Sequence, residues 1–134
     1  MVKDRTREMA VAEFNKAFGH PVDSKMTMEE LMFRFELIRE EFKELGVEIH
    51  NAAWYLSHGK QPKNLENLLK ELADLQYVVS GLAVVFGLPL QVAFNRVHLS
   101  NMSKLGEDGK PIKRRDGKVL KGPNYQEPNL KDLI

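Results

Sequence analysis

The spacing of apolar positions along the chain predicts four helices followed by an irregular tail. Asp4 or Thr6 can cap a first helix running to about Phe18, with Met9, Ala12, Phe14 and Ala17 as its apolar positions, and Gly19-His20-Pro21 stops it. Thr27 followed three residues later by Glu30 has the form of a capping box, in which each side chain satisfies a backbone donor at the helix start. A long second helix follows, to about Ser57. Within it Leu31, Phe35, Ile38, Phe42, Leu45, Ile49 and Ala52 recur at alternating spacings of four and three, the seam of a helix packed lengthwise in a bundle. His58-Gly59-Lys60-Gln61-Pro62 breaks the chain. A third helix opens near Asn64 and carries Leu65, Leu68, Leu69, Leu72, Leu75, Val79, Leu82 and Phe86 on a broad apolar arc. Gly87-Leu88-Pro89 ends it, and a fourth helix from about Leu90 to Lys104 has Val92, Phe94, Val97 and Met102 as its expected buried positions.

After Leu105 the pattern changes. Asp-Gly occurs at Asp108-Gly109 and Asp116-Gly117, and the second pair sits between short strand-like pieces at Ile112 and Val119-Leu120, which suggests a small hairpin. The expected fold is therefore all-α: a four- to five-helix bundle over residues 1–105, with a basic C-terminal extension of the same domain, irregular or hairpin-containing, over residues 106–134. The strict seam and the wide leucine face offer more apolar surface than one chain of 134 residues readily covers, so the expected state is a homo-oligomer, dimer or tetramer.

Composition narrows the chemistry. The chain has no cysteine, which excludes a disulfide scaffold, a thiolate zinc site, an iron–sulfur centre and a cysteine nucleophile. Any metal must be held by oxygen or imidazole. The apolar run Leu82 to Leu90 is broken by Gly87 and Pro89 and is far short of the ~20 residues a bilayer span needs. With no apolar stretch at the start either, the expectation is a soluble, cytoplasmic protein without a membrane partner. The net charge of +1 conceals a sorting by sign. Met1 to Leu99 holds 12 basic and 14 acidic residues, whereas Ser100 to Ile134 holds 8 basic and 5 acidic.

The acidic residues fall in a pattern. On a helical wheel with Glu40 at zero, Glu41, Glu44 and Glu48 lie at roughly 100°, 40° and 80°, and the seam of the same helix at roughly 140° to 220°. Four carboxylates thus form one stripe beside the core face. On the third helix Glu71 and Asp74 stand three apart, with Glu71 at the edge of the leucine arc. Like charges at these spacings repel, and partial burial raises the cost, so something positive should compensate. Arg39, Lys43 and Lys70 are available, in which case the stripe is a solvated, salt-bridged face. Alternatively, antiparallel packing of the second and third helices brings Glu41 and Glu44 to Glu71 and Asp74, an all-oxygen set suited to Mg²⁺, with Mn²⁺ as a substitute.

Glu40-Glu41-Phe42-Lys43-Glu44 followed by Glu71-Leu72-Ala73-Asp74 resembles the EExxE…ExxD signature of the all-α nucleoside triphosphate pyrophosphohydrolases, the MazG-like and phosphoribosyl-ATP pyrophosphohydrolase-like group. The stretches DLQYVVSGLAVVFGL and VHLSNMSKLGEDGKPIKRRDGKVLKGPNY resemble a subgroup of small single-domain MazG-like proteins, and the likeness extends from about Phe14 to Leu130. The resemblance implies hydrolysis of a nucleoside triphosphate to the monophosphate and pyrophosphate, with Mg²⁺ held by Glu40, Glu41, Glu44, Glu71 and Asp74. Clustered carboxylates that bring in divalent ions suit this chemistry, because the ions neutralise phosphate charge and activate water. Glu40, farthest from the seam, is the expected outer ligand or base, and Glu41 and Glu44 complete the catalytic trio. Asn101 and Lys104 match the family's NxxK element that reaches phosphate or nucleotide, with His98 assisting.

Tyr77 can stack on a base, and Lys110, Arg114 and Lys121 of the tail can contact phosphates. Each has a plainer role open to it: a helix-end lysine, a solvated hairpin, an aromatic in the bundle. Trp54 is expected in the core. The reading is a nucleotide pyrophosphohydrolase acting on a (d)NTP, with dUTP or dCTP as plausible pyrimidine substrates. Phosphoribosyl-ATP hydrolysis, a silent nucleotide binder and a nucleic-acid-binding bundle stand as alternatives. Against the last, a nucleic-acid binder gains nothing from carboxylates at the edge of its core.

Overall fold

The computed structural model describes residues 5–134. Four α-helices are present, α1 (Arg7–Phe18), α2 (Met28–Ser57), α3 (Glu66–Val85) and α4 (Leu90–Met102), with a short 3₁₀ helix over Lys131–Leu133. Among the described residues there is no strand, only one isolated antiparallel bridge between Lys113 and Val119. The all-α expectation holds. The chain divides into two compact units, one ending at Leu88 and the other spanning Pro89–Ile134.

Local chemistry sets the helix ends. Thr6 accepts the Met9 amide at 3.1 Å and caps α1, while the alternative cap, Asp4, lies outside the described residues. Gly19 closes α1 in the left-handed region at φ 75°, a backbone that L side chains resist. Thr27 accepts the Glu30 amide at 3.2 Å, which is one half of the expected capping box. The other half is replaced: the Glu30 carboxylate accepts from Arg34 Nε at 2.8 Å. Asn64 accepts the Glu66 amide at 2.9 Å and opens α3.

In the first unit α2 and α3 run antiparallel. Arg34 faces Gly81, Glu41 and Glu44 face Glu71 and Asp74, and Glu48 to Tyr55 face Asn64, so residues ascending along α2 meet residues descending along α3. The loop between α1 and α2 closes the far end, where the Asp23 and Ser24 amides donate to the Val84 and Val85 carbonyls at 3.0 and 2.7 Å. These carbonyls end α3 and have no partner within the helix.

The buried apolar core is small: Val11, Leu45, Ala83, Val84 and Val85. It includes polar members, since Asn15 donates to the Pro21 carbonyl at 3.1 Å and Ser80 donates to Glu8 at 2.6 Å while accepting from Gln76 at 3.1 Å. Arg34 is only 6% exposed. Only one edge of the α2 seam is covered. Leu45 is buried and Leu31, Ile38 and Ala52 are half-buried, but Phe35, Phe42 and Ile49 on the other edge are exposed, Phe42 at 66%. The side of α2 turned to α3 carries Arg34, Glu41 and Glu48, offset from the seam by about a fifth of a turn. Trp54, expected in the core, is 55% exposed because it too lies off the covered side.

In the second unit the tail folds back on α4. Ser100 donates to the Gln126 carbonyl at 2.7 Å and Arg96 holds Asp132 through two bonds of 2.6 and 3.0 Å. Buried Ser100 replaces the apolar positions expected there, for Val92, Phe94, Val97 and Met102 are all exposed. The predicted small hairpin forms without named strands: Lys113 and Val119 make an antiparallel bridge, the Leu120 amide donates to the Ile112 carbonyl at 2.7 Å and the Arg114 amide to the Lys118 carbonyl at 2.8 Å, with Gly117 at φ 90° in the turn.

Candidate active site

Glu41 and Glu44 reach α3 from one side of α2, three residues apart, and Glu71 and Asp74 meet them with the same spacing from α3. One carboxylate oxygen from each of the four lies within 4.8 Å of the other three. Antiparallel packing is the cause, because it aligns two i, i+3 pairs across a single interface.

The electrostatics are those of an unbalanced negative site. Glu41 has its carboxyl raised above the ordinary range of about 4.5, first by burial, then by Glu44, Asp74 and Glu71 around it. Glu71 is raised as well, by burial and by Glu44, with Lys70 pulling the other way. Lys70 is the compensating cation of the site. Its Nζ lies 2.7 Å from Asp74 Oδ2 and 3.5 Å from Glu71 Oε1, and it is itself raised by Asp74. Arg39, also expected to compensate, is spent on Glu36 at 3.1 Å. One lysine against four carboxylates leaves a deficit of positive charge. Glu41 Oε2 and Glu71 Oε2 are buried without any hydrogen-bond partner.

This donor set fits a divalent cation. All donors are carboxylate oxygens, the choice of hard cations of the Mg²⁺ and Mn²⁺ type. Oxygens on opposite sides of a Mg²⁺ stand about 4.2 Å apart, so a cluster of this width needs little closure. The two orphaned oxygens would otherwise each remain desolvated at a cost.

Glu40 is exposed, on the neighbouring side of α2, and its carboxylate is not among the four. Tyr77 packs its ring edge-on against Phe14 of α1, with centroids 5.7 Å apart. His98 and Asn101 are exposed on α4, and Lys104, just beyond it, accepts the Gly122 amide on its carbonyl at 2.9 Å. Lys110 is exposed. Arg114 is tied to Asp116, its Nε 2.9 Å from Oδ1, and Lys121 lies over the Tyr125 ring at 4.8 Å. These residues of α4 and the tail all belong to the second unit.

A further polar feature lies beyond the cluster, and of its residues the sequence pattern placed only Glu48 in the stripe. Beyond Glu44 the carboxylate stripe continues through Glu48, Asn51 and Tyr55, and with Trp54 and Asn64 these residues line a cavity of about 340 Å³. The signal was present in the spacing of four, three and four from Glu44. Nothing but the fold could show that Asn64 closes it.

An all-helical chain with two facing acidic pairs on adjacent antiparallel helices has the architecture of an α-helical pyrophosphohydrolase. The family model described as phosphoribosyl-ATP pyrophosphohydrolase matches residues 11–101, and the chain belongs to that family, within the MazG-like all-α superfamily. The chain is also 28% identical over 139 aligned positions to the uncharacterized protein L479 of Acanthamoeba polyphaga mimivirus. That alignment takes in 96% of this chain but 48% of L479, so the chain spans about half the length of the relative it matches.

Proposed function

We propose that this protein is a Mg²⁺-dependent nucleoside triphosphate pyrophosphohydrolase, releasing a (d)NMP and pyrophosphate in the clearance of cytoplasmic nucleotides. The observation that carries the reading is the four-carboxylate cluster with its two unsatisfied buried oxygens. In this reading Glu41, Glu44, Glu71 and Asp74 hold the metal. A bound divalent ion supplies charge neutralisation for the triphosphate and a more acidic water. Glu40, one position outside the cluster, takes the proton of the attacking water. Lys70 orients the Asp74 carboxylate through its 2.7 Å contact. Asn101 and Lys104, with His98, contact phosphate or sugar. Lys110, Arg114 and Lys121 add cationic donors to the triphosphate, Arg114 at the expense of its bond to Asp116, and Tyr77 borders the nucleoside.

A second copy of the chain is the proposed cover for the exposed seam. Phe35, Phe42 and Ile49 recur every seven residues on one edge of α2, the repeat that packs lengthwise against an identical helix. Light scattering on the eluted protein should give a dimer or tetramer, and a stable monomer would refute this part of the reading.

Phosphoribosyl-ATP is the second candidate substrate, favoured by the name of the matching family. Against it, residues 102–134 lie outside the family match. Pyrophosphate release across a panel of dNTPs, NTPs and phosphoribosyl-ATP, with Mg²⁺ or Mn²⁺, separates the two. Unchanged turnover in Glu41→Gln and Asp74→Asn would sink both, and metal-independent, salt-sensitive binding to nucleic acid would favour the non-enzymatic alternative.

A further inference from the structure

We infer that Lys70 is a resident counter-cation which a divalent ion must displace, so that this side chain sets the metal concentration at which the carboxylate cluster fills. The inference rests on the reading of Glu41, Glu44, Glu71 and Asp74 as metal ligands. Lys70 Nζ lies 2.7 Å from Asp74 Oδ2 and 3.5 Å from Glu71 Oε1, so it touches both carboxylates that α3 brings to the cluster. Among the described residues no other ion pair reaches any of the four. A cation entering the cluster therefore competes with this one ammonium for the negative charge of the α3 pair.

The Lys70–Asp74 pair is poorly suited to holding α3 together. The two residues stand four apart with the lysine N-terminal, the weaker of the two orders for such a pair on a helix. The Lys70 side chain is 65% exposed, and an ion pair so open to water adds little to stability. Its partners are more enclosed, Glu71 at 13% and Asp74 at 37% exposure. A strongly hydrated ammonium on a flexible stem, set at the open side of a more sheltered acidic pair, can leave without disturbing the helix beneath it.

Charge decides the direction of the effect. By holding Asp74 in place Lys70 could ready it for a metal, but it also cancels part of the field that draws the metal in. A unit charge a few ångströms from a doubly charged ion alters its affinity about tenfold or more even when water screens the pair, which outweighs the fixing of one carboxylate by an exposed side chain. Removing the ammonium should therefore split two quantities that fall together when a site is merely damaged. The metal-free protein, left with four uncompensated carboxylates, becomes less stable, while its affinity for metal rises.

Calorimetric titration of the full-length protein with Mn²⁺ should give a dissociation constant about tenfold lower for Lys70→Met than for wild type, and one close to wild type for Lys70→Arg, which keeps the charge. Without metal, Lys70→Met should have the lower Tm. In wild type, the Lys70 side-chain NMR signal, assigned by its loss in Lys70→Met, should move toward that of a free lysine as Mg²⁺ is added. Weaker or unchanged Mn²⁺ affinity in Lys70→Met, or a Lys70 signal that stays in place while Mg²⁺ binds, would overturn the displacement and leave the metal site standing. Failure of both ions to bind wild type and variant alike would refute the metal reading of the cluster, and this inference with it.

Discussion

Glu41 on α2 and Glu71 on α3 belong to one cluster of carboxylates whose oxygens lie within 4.8 Å of one another, and each has one buried oxygen with no hydrogen-bond partner. Two helices have been packed so that like charges meet, an arrangement that destabilises the chain unless a cation enters. Neutralising one of the pair should therefore stabilise the metal-free protein. Glu41→Gln or Glu71→Gln is expected to raise the metal-free Tm by about 3–5 °C, the response of a domain of this size to roughly 1 kcal/mol. The same variants should lose Mn²⁺ affinity by at least about tenfold, the lower bound even for residues that merely support a metal site. Calorimetry with and without Mn²⁺ tests both halves.

The pH dependence follows from the same pair. Glu41 and Glu71 have carboxyls raised above about 4.5, so the folded chain holds protons that the unfolded chain would release. Their stabilising contribution is complete below the ordinary carboxylate range and is lost as the pH rises through the raised values. Metal-free Tm should fall between about pH 4.5 and neutrality, while Mn²⁺ affinity rises over the same interval as the protons leave. Asp116 and Asp132 act oppositely, lowered by Arg114 and Arg96, but their stability is lost only as the pH falls below about 3.8. Thermal scans of wild type and Glu41→Gln should show the slope above pH 4.5 flattened in the variant.

Glu40 and Glu44 are predicted to separate. Glu44 contributes an oxygen to the cluster and Glu40 does not. Glu44→Gln should weaken Mn²⁺ binding by about tenfold or more, whereas Glu40→Gln should leave it within about twofold while lowering kcat by roughly 10²–10⁴, the range for loss of a general base. Equal loss of metal affinity in both variants would place Glu40 among the ligands.

Arg34 tests the polar interior of the first unit. It is buried against Gly81 and pairs with Glu30 at 2.8 Å, while its Nη2 has no partner. Arg34→Ala strands the Glu30 carboxylate and leaves a void. Because Glu30 is partly exposed, the expected cost is the lower end for a broken buried pair, about 3 kcal/mol by urea denaturation. The double change Arg34→Met with Glu30→Gln removes both charges and keeps the volume, so it should recover most of that loss.

Gly122 tests how the tail is held. A Cβ there would clash with the Leu105 carbonyl oxygen and lie 2.7 Å from that of Lys104, both backbone atoms that cannot swing away. Gly122→Ala should break its 2.9 Å bond to Lys104 and loosen the segment around it. Hydrogen exchange should speed up in residues 103–126 and remain unchanged in α2 and α3.

The helix ends, the all-α class and the acidic stripe were legible in the sequence because they depend on local chemistry. Thr6, Thr27, Gly19 and Gly87 act within a turn of themselves, and the i, i+3 pairs on α2 and α3 are fixed by helical periodicity. Family membership rests on the match over residues 11–101, which includes that signature. Partnership was not legible. A seam at Phe35, Phe42 and Ile49 says that something must cover it, but periodicity alone does not reveal that α3 lies instead against the side bearing Arg34, Glu41 and Glu48. Capping-box spacing at Thr27 and Glu30 likewise does not show that Glu30 prefers a buried guanidinium to a backbone amide. The convergence of Glu41 and Glu44 with Glu71 and Asp74 was legible on the condition of antiparallel packing, and the structure meets it; only the packed register of α2 on α3 decided which oxygens lose their solvent and that Asn64 closes a cavity beside Trp54. Those outcomes depend on distances between residues 27 or more apart or on opposite sides of a turn, and a local pattern carries no information about them until two helices have packed.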